Sequence, residues 1–172
     1  MGGGLVARHV LGGGRADNDG DGGDAVTLSF FVPGQAVPQA ALRAFIIQDK
    51  ITGRHRPILT NSSKGLSTWR ATVAMTAQDA KARAHHPGWF GREAVTLTLR
   101  FLFPRPASHP KRSPPQHVVR PDLDHLIRGL SDGCTGVLFT DDSQIVELRA
   151  TKGYLALGES PGVSVTVAQA IT

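Results

Sequence analysis

The stretch RPDLDHLIRGLSDGCTGVLFTDDSQIVELRATK, residues 120–152, decides how the rest of this 172-residue chain is read. Leu123, Leu126, Ile127 and Leu130 fall at i, i+3, i+4 and i+7, which predicts a short amphipathic helix over 123–132 that stops near Gly133. Asp122 stands at its N-cap, still extended, and Asp124 lies in its first turn, so two carboxylates meet at a helix start. After Gly136 the pattern changes. A short strand at 137–139, the turn Thr140-Asp141-Asp142-Ser143 and a longer strand at 144–152 follow.

Working outward, Val26, Leu28, Phe30 and Val32 alternate with polar Thr27 and Ser29, which predicts a strand at 26–32 ending at Pro33-Gly34. Residues 33–60 carry Pro33, Pro38 and Pro57 among Arg43, Lys50, Arg54 and Arg56, and read as a basic loop or ragged hairpin. Leu66, Trp69, Val73, Ala77, Ala80 and Ala84 keep helical spacing, so a long helix is expected over about 63–85, capped by Ser62 or Ser63 and stopped by Pro87-Gly88. A second alternating strand covers 95–103, and a final one 163–167. Between 104 and 121, six prolines with Arg105, Lys111, Arg112 and Arg120 exclude helix and central strand and leave a stiff basic loop. The sum is a single small α+β domain, a mixed β-sheet with one long and one short helix.

Composition narrows the function classes. No uncharged apolar run approaches the roughly 18 to 20 residues that span a bilayer, so a membrane span is not expected. One cysteine, Cys134, can build neither an internal disulfide nor a Cys-rich zinc site, which fits a reducing cytoplasm. The formal net charge is +5, unevenly placed. Residues 1–24 hold two arginines against four aspartates and are rich in glycine, which predicts a disordered leader of net charge −2. The remaining seventeen basic and ten acidic residues give the domain, 25–172, a charge of +7, which favours a polyanionic partner such as nucleic acid. Within the leader, Asp17-Asn-Asp19-Gly-Asp21-Gly copies half of a calcium loop, but Leu28 stands where a bidentate Glu is required.

Each acid of the central stretch has an ordinary structural use. Asp122 can cap the helix, Asp124 can pair with Arg128 one turn on, and Asp141 and Asp142 suit a turn. Together, four like charges in a basic protein are a poor choice for stability alone. A hard divalent cation resolves the repulsion, because Mg²⁺ takes carboxylate oxygens and retains several waters.

The segments Pro121-Asp-Leu-Asp-His-Leu-Ile-Arg128 and Asp141-Asp-Ser-Gln-Ile-Val146 resemble the PDxDNLxK and DD(A/S)Q(I/V)V signatures of RusA-type Holliday junction resolvases. FVPGQAVPQ, residues 31–39, and FPRPASHPKRSP, residues 103–114, resemble the family's early strand and turn and its basic loop. The resemblance covers about 25–168. It implies a homodimeric, Mg²⁺-dependent endonuclease, with Mn²⁺ as a substitute ion, that resolves four-way DNA junctions by paired symmetric nicks in recombination and repair. It further implies Asp122, Asp124 and Asp142 as metal-binding catalytic residues, Asp141 as a supporting acid, and a cytoplasmic setting in a bacterial or phage-infected host. Hydrolysis at phosphorus with departure of the 3′ oxygen would leave 5′-phosphate ends.

Two positions depart from the family pattern. His125 replaces Asn, and Arg128 replaces a catalytic Lys. Arginine cannot readily give up a proton but clamps phosphate through its planar fork, so Arg128 is assigned to charge stabilisation. Asp132, in the last turn of the short helix, is read as structural. Arg43, Arg54, Arg56, Lys111, Arg112 and Arg120 are the expected DNA contacts. Two other readings share these residues: a less selective metal-dependent nuclease, and a junction-binding protein with weak or no cleavage.

Overall fold

Alternating apolar residues bury one face of a sheet, and the two helices close that face. The computed structural model describes residues 26–39, 43–60, 63–84, 90–108 and 115–170. The expected leader, together with Ser62, Lys111 and Arg112, lies outside them. In chain order the elements are β1 (Thr27–Pro33), β2 (Arg43–Gln48), β3 (His55–Thr60), α1 (Leu66–Arg83), β4 (Val95–Phe103), α2 (Leu123–Cys134), β5 (Ile145–Tyr154) and β6 (Gly162–Gln169). The main sheet runs β1-β6-β4-β5, antiparallel except for the parallel pair of β4 with β5, while β2 and β3 form a separate antiparallel ribbon. The protein is thus a single small α+β domain with a mixed sheet. No helix among the described residues is long and apolar enough to cross a membrane.

Leu28, Val32, Val95, Leu97, Leu99, Phe101, Val163, Val165 and Val167 fill the helix-side face of the sheet. On the other face, Ser29 and Thr166 exchange a 2.9 Å hydroxyl hydrogen bond and Thr98, Arg100 and Ser164 meet solvent, the polar half of each period-2 pattern. Leu66, Trp69, Val73, Ala77 and Ala80 of α1 pack down on the apolar side together with Leu126 and Leu130 of α2.

Three sequence expectations change. The strand expected at 137–139 is instead a turn in which the amides of Val137 and Leu138 donate to the Cys134 carbonyl, with only an isolated bridge between Thr135 and Phe139. Its apolar residues are there to fill the core, where Leu138 and Phe139 are buried. Helix α1 begins at Leu66, not 63, and its cap is Gly65 in the left-handed region at φ +82°; Ser63 instead accepts the Leu66 amide through its backbone carbonyl. The basic segment before it, expected as a loop or ragged hairpin, is a regular hairpin of two six-residue strands.

The two helices meet through glycine. A Cβ on Gly133 would stand 2.9 Å from both Cβ and Cγ1 of Val73 and 3.2 Å from the Arg70 carbonyl oxygen, and one on Gly129 would stand 2.8 Å from the Val37 carbonyl oxygen. Gly133→Ala should therefore force α2 away from α1 and lower stability by about 1 to 3 kcal/mol, the usual range for overpacking. Urea or thermal unfolding checks this, and an unchanged midpoint would show that the contact relaxes freely.

Candidate metal centre

The start of α2 is built to present acids outward. Leu126 and Leu130 lock the helix into the core, so the opposite face, which bears Asp124 and Arg128, must be exposed. Asp122 occupies the N-cap with extended backbone (φ −73°, ψ 142°), and its carbonyl accepts the Leu126 amide at 3.2 Å. Its side chain makes no capping hydrogen bond, so the ordinary use of an N-cap Asp is not the one found here. Asp124 forms no ion pair with Arg128; its Oδ2 lies 3.6 Å from His125 Nε2 instead. One ligand atom from each of Asp122, Asp124 and His125 lies within 4.8 Å of the others. Two oxygen donors and a nitrogen gathered at the positive end of a helix can hold a divalent cation, and the two carboxylates suit a hard one. Nothing in the sequence required His125 to join them; its place in the first turn beside Asp124 was the available signal.

The backbone ahead of Asp122 is clamped. Lys152 of β5 donates from Nζ to the carbonyls of Val119, at 2.9 Å, and Pro121, at 2.8 Å, across a cis Arg120–Pro121 peptide. Beneath this segment the His117 ring lies between Phe103 and Tyr154, with centroids 4.8 and 4.6 Å away. Asp132, expected to be structural, pairs with Arg70 of α1, and Arg70 also donates to Gln39 Oε1 at 2.8 Å. Burial pushes the Cys134 thiol up to about 12, so it is an inert core group.

Asp141 and Asp142 are at the other end of the sheet. Asp141 caps a single 3-10 turn, Asp142–Gln144, accepting the Ser143 amide at 2.9 Å while Gln144 Oε1 accepts the amides of Thr140 and Asp141. Hydrogen bonds from the Ser143 side chain and backbone hold the Asp141 carboxyl below its ordinary value. Gln144 Nε2 also donates to the carbonyls of Phe90 and Glu93, which fixes the turn beside the start of β4. Asp142 is exposed and is not a member of the Asp122–Asp124–His125 group. Because β4 and β5 are parallel, the turn at the head of β5 and the acids beside Lys152 near its end are separated by about seven residue steps, on the order of 20 Å. One cation with oxygens at about 2.1 Å cannot bridge that gap. Within one chain the structure therefore brings Asp122 and Asp124 together and leaves Asp142 apart.

Of the expected DNA contacts, Arg54 and Arg56 are exposed on the β2–β3 hairpin and Arg120 is exposed two residues before Asp122. Arg43 opens β2, with its side chain outside the described residues, as are Lys111 and Arg112 altogether.

The family model described as Endodeoxyribonuclease RusA matches residues 47–168, a span that includes the hairpin's second half, both acidic segments and every later strand. Over 149 residues the chain is 26% identical to a protein of Bacillus subtilis (strain 168) described as "Uncharacterized protein YqaN", an alignment that covers 81% of this chain and 94% of that one.

Burial holds the His117 imidazole below its ordinary 6.5, with the nearby Lys152 charge acting the same way. The unfolded chain therefore takes up a proton on His117 at a higher pH than the folded one does. The stability this gives is complete above about pH 6.5 and is lost as pH falls through the depressed folded value. We expect the unfolding temperature to drop over that window in the wild type and to drop less in His117→Phe, which keeps the aromatic stack; equal slopes in the two proteins would show that His117 is not the titrating group.

Proposed function

Since the chain belongs to the Endodeoxyribonuclease RusA family, and so is a DNA-cleaving enzyme, we propose that it resolves four-way (Holliday) junctions as a homodimer through paired, symmetric, Mg²⁺-dependent nicks. Recombination and repair intermediates are the natural source of such junctions, and the enclosing +7 charge of the domain suits their phosphates. The observation that carries the proposal is the pair of carboxylates on Asp122 and Asp124, exposed at a helix start and unused by capping or by Arg128.

The residues fit a hard cation. Asp122 and Asp124 would hold Mg²⁺, or Mn²⁺ in its place, and the nitrogen of His125 suits Mn²⁺ better than Mg²⁺. When bound, such an ion polarises the scissile phosphate and supplies an activated water at neutral pH. Arg128, one turn along the exposed face of α2 from Asp124, binds a non-bridging phosphate oxygen and offsets the charge that grows on it during attack. Its guanidinium keeps its proton throughout, so protonation of the leaving 3′ oxygen falls to solvent. Lys152 and the His117 stack keep Asp122 at its place by fixing the backbone before it.

A dimer gives Asp142 its part. β5 is the edge of the sheet, and its residues Val146 and Leu148 remain 64% and 43% exposed, an uncovered apolar pair on a strand whose outer edge has no partner strand among the described residues. A second copy laid antiparallel along β5 with Leu148 on the two-fold axis opposes Glu147 to Arg149 of the partner subunit and covers the apolar pair. The same register sets Asp142 alongside the strand end that neighbours Asp122 of the partner subunit. Each of the two sites then draws acids from both copies, and two strands of like polarity can be cut from related positions.

Cleavage of a labelled four-way junction in Mg²⁺, beside a linear duplex of the same sequence, tests the activity. Wild type should nick the junction alone and symmetrically, while Asp124→Asn and Asp142→Asn should each reduce nicking to background. When the two variants are unfolded together and refolded as a mixture, heterodimers contain one site with both changes and one with neither, so nicking of a single strand should return. No recovery in the mixture would place Asp142 in its own chain's site, undiminished nicking by Asp142→Asn alone would place it outside the chemistry, and wild-type cutting of duplex and junction alike would favour the less selective nuclease.

A further inference from the structure

The β2–β3 hairpin is a two-stranded ribbon that pairs with no strand of the main sheet among the described residues. A free two-stranded ribbon is marginal in water, so its shape must be held at its ends. At the tip, Asp49 Oδ1 accepts the amides of Ile51 and Thr52 at 2.9 Å each. The Asp49 amide donates to the Arg54 carbonyl at 2.9 Å, the Gly53 amide donates to the Asp49 carbonyl at 2.8 Å, and Gly53 takes φ +66°. Those amides hold the Asp49 carboxyl below its ordinary value, which strengthens the turn at neutral pH. At the root, the Gln39 amide donates to the His125 carbonyl at 2.9 Å, four positions before β2 begins. Gln39, in the segment ahead of the ribbon, is thus tied to the helix turn that carries the acids, and each six-residue strand of the ribbon is on the order of 20 Å long.

This braced tip presents Ile51 at 96% exposure. Turn positions of this kind ordinarily take Gly, Asn, Asp or Ser, and a stiff β-branched side chain cannot fold back onto its own backbone. On either side stand the exposed Lys50 and Arg54, with Arg56 further down the ribbon beside its cross-strand neighbour Ile47. An apolar point between cations is the form of the side chains that enter a base step while flanking charges grip phosphates. We propose that Ile51 is an apolar wedge that enters the branch point of the DNA junction, with Lys50 and Arg54 on the phosphates beside it, so that branched DNA is selected over continuous duplex. The branch point interrupts base stacking, so entry there costs less than in an intact helix. This inference rests on the junction reading given above.

The test uses the full chain and a four-way junction carrying 2-aminopurine next to the branch point, with Ca²⁺ replacing Mg²⁺ so that binding is seen without nicking. Wild type should raise the fluorescence on saturation, reporting an unstacked base. Ile51→Asn, at a site too exposed to affect folding, should bind the junction severalfold more weakly, nearer to its unchanged affinity for duplex, and at saturation leave the fluorescence near that of free junction. In Mg²⁺ it should nick the junction severalfold more slowly, and Ile51→Leu should recover both readouts. A fluorescence rise in Ile51→Asn equal to that of wild type overturns the wedge while leaving the resolvase reading intact. A wild type that neither binds nor nicks the junction overturns both.

Discussion

Everything the site presents depends on how closely α2 can approach α1. Leu126 and Leu130 are fully buried, and that burial, worth roughly 1.5 to 3 kcal/mol per side chain, fixes which face of the helix turns outward. The approach is possible because Gly129 and Gly133 put no Cβ against Val37 and Val73. Arg70 then joins the two helices through Asp132 and reaches Gln39 in the irregular segment ahead of the hairpin. A single residue thus links the long helix, the acidic helix and the root of the basic ribbon. Shifting α2 would move the acids and the ribbon root together.

Electrostatics gives the same arrangement its purpose. A domain of net charge +7 attracts DNA over its whole surface but gains no reaction from that attraction. Asp122 and Asp124 sit inside this positive field with neither a cap bond nor an Arg128 pairing, Asp124 meeting only the His125 ring at 3.6 Å among the described residues. Two carboxylates so placed suit a hard cation, and Arg120 and Arg128 stand exposed near them. The distance between these acids and Asp142, set by the length of β5, keeps Asp142 out of their group within one chain.

The sheet was legible because period-2 alternation in β1, β4 and β6 reports one buried face, and α2 was legible because its apolar stripe is regular. The run Val137-Leu138-Phe139 misled because core filling and strand pairing demand the same apolar residues. The start of α1 misled because Ser63 offers a backbone carbonyl where a side-chain cap was expected, and a left-handed glycine takes over the cap. At the site, the spacing of Asp122 and Asp124 carried its own geometry, as any two positions on one helix start do. The place of Asp142 did not. It depends on β5 running parallel to β4, a long-range choice that no local pattern encodes.

The adjacent pair Asp141 and Asp142 shows how identical side chains receive different tasks from the backbone. Asp141 has extended backbone (φ −148°, ψ 145°), which turns its exposed carboxylate onto the Ser143 amide and commits it to that local hydrogen bond. That bond, with the return bonds from Gln144, fixes the chain at the residue just before Asp142 and ties the turn to the loop at Phe90 and Glu93. Asp142, one step on, is held by the turn without being consumed by it and faces solvent. Removing the Asp141 carboxylate would loosen the platform under Asp142 while leaving the Asp142 carboxylate itself intact. Removing that of Asp142 would leave the platform in place with nothing to present. An acid beside an acid is therefore economical here only because the first positions the second, which gives the DD dipeptide a physical reason that repulsion alone would argue against.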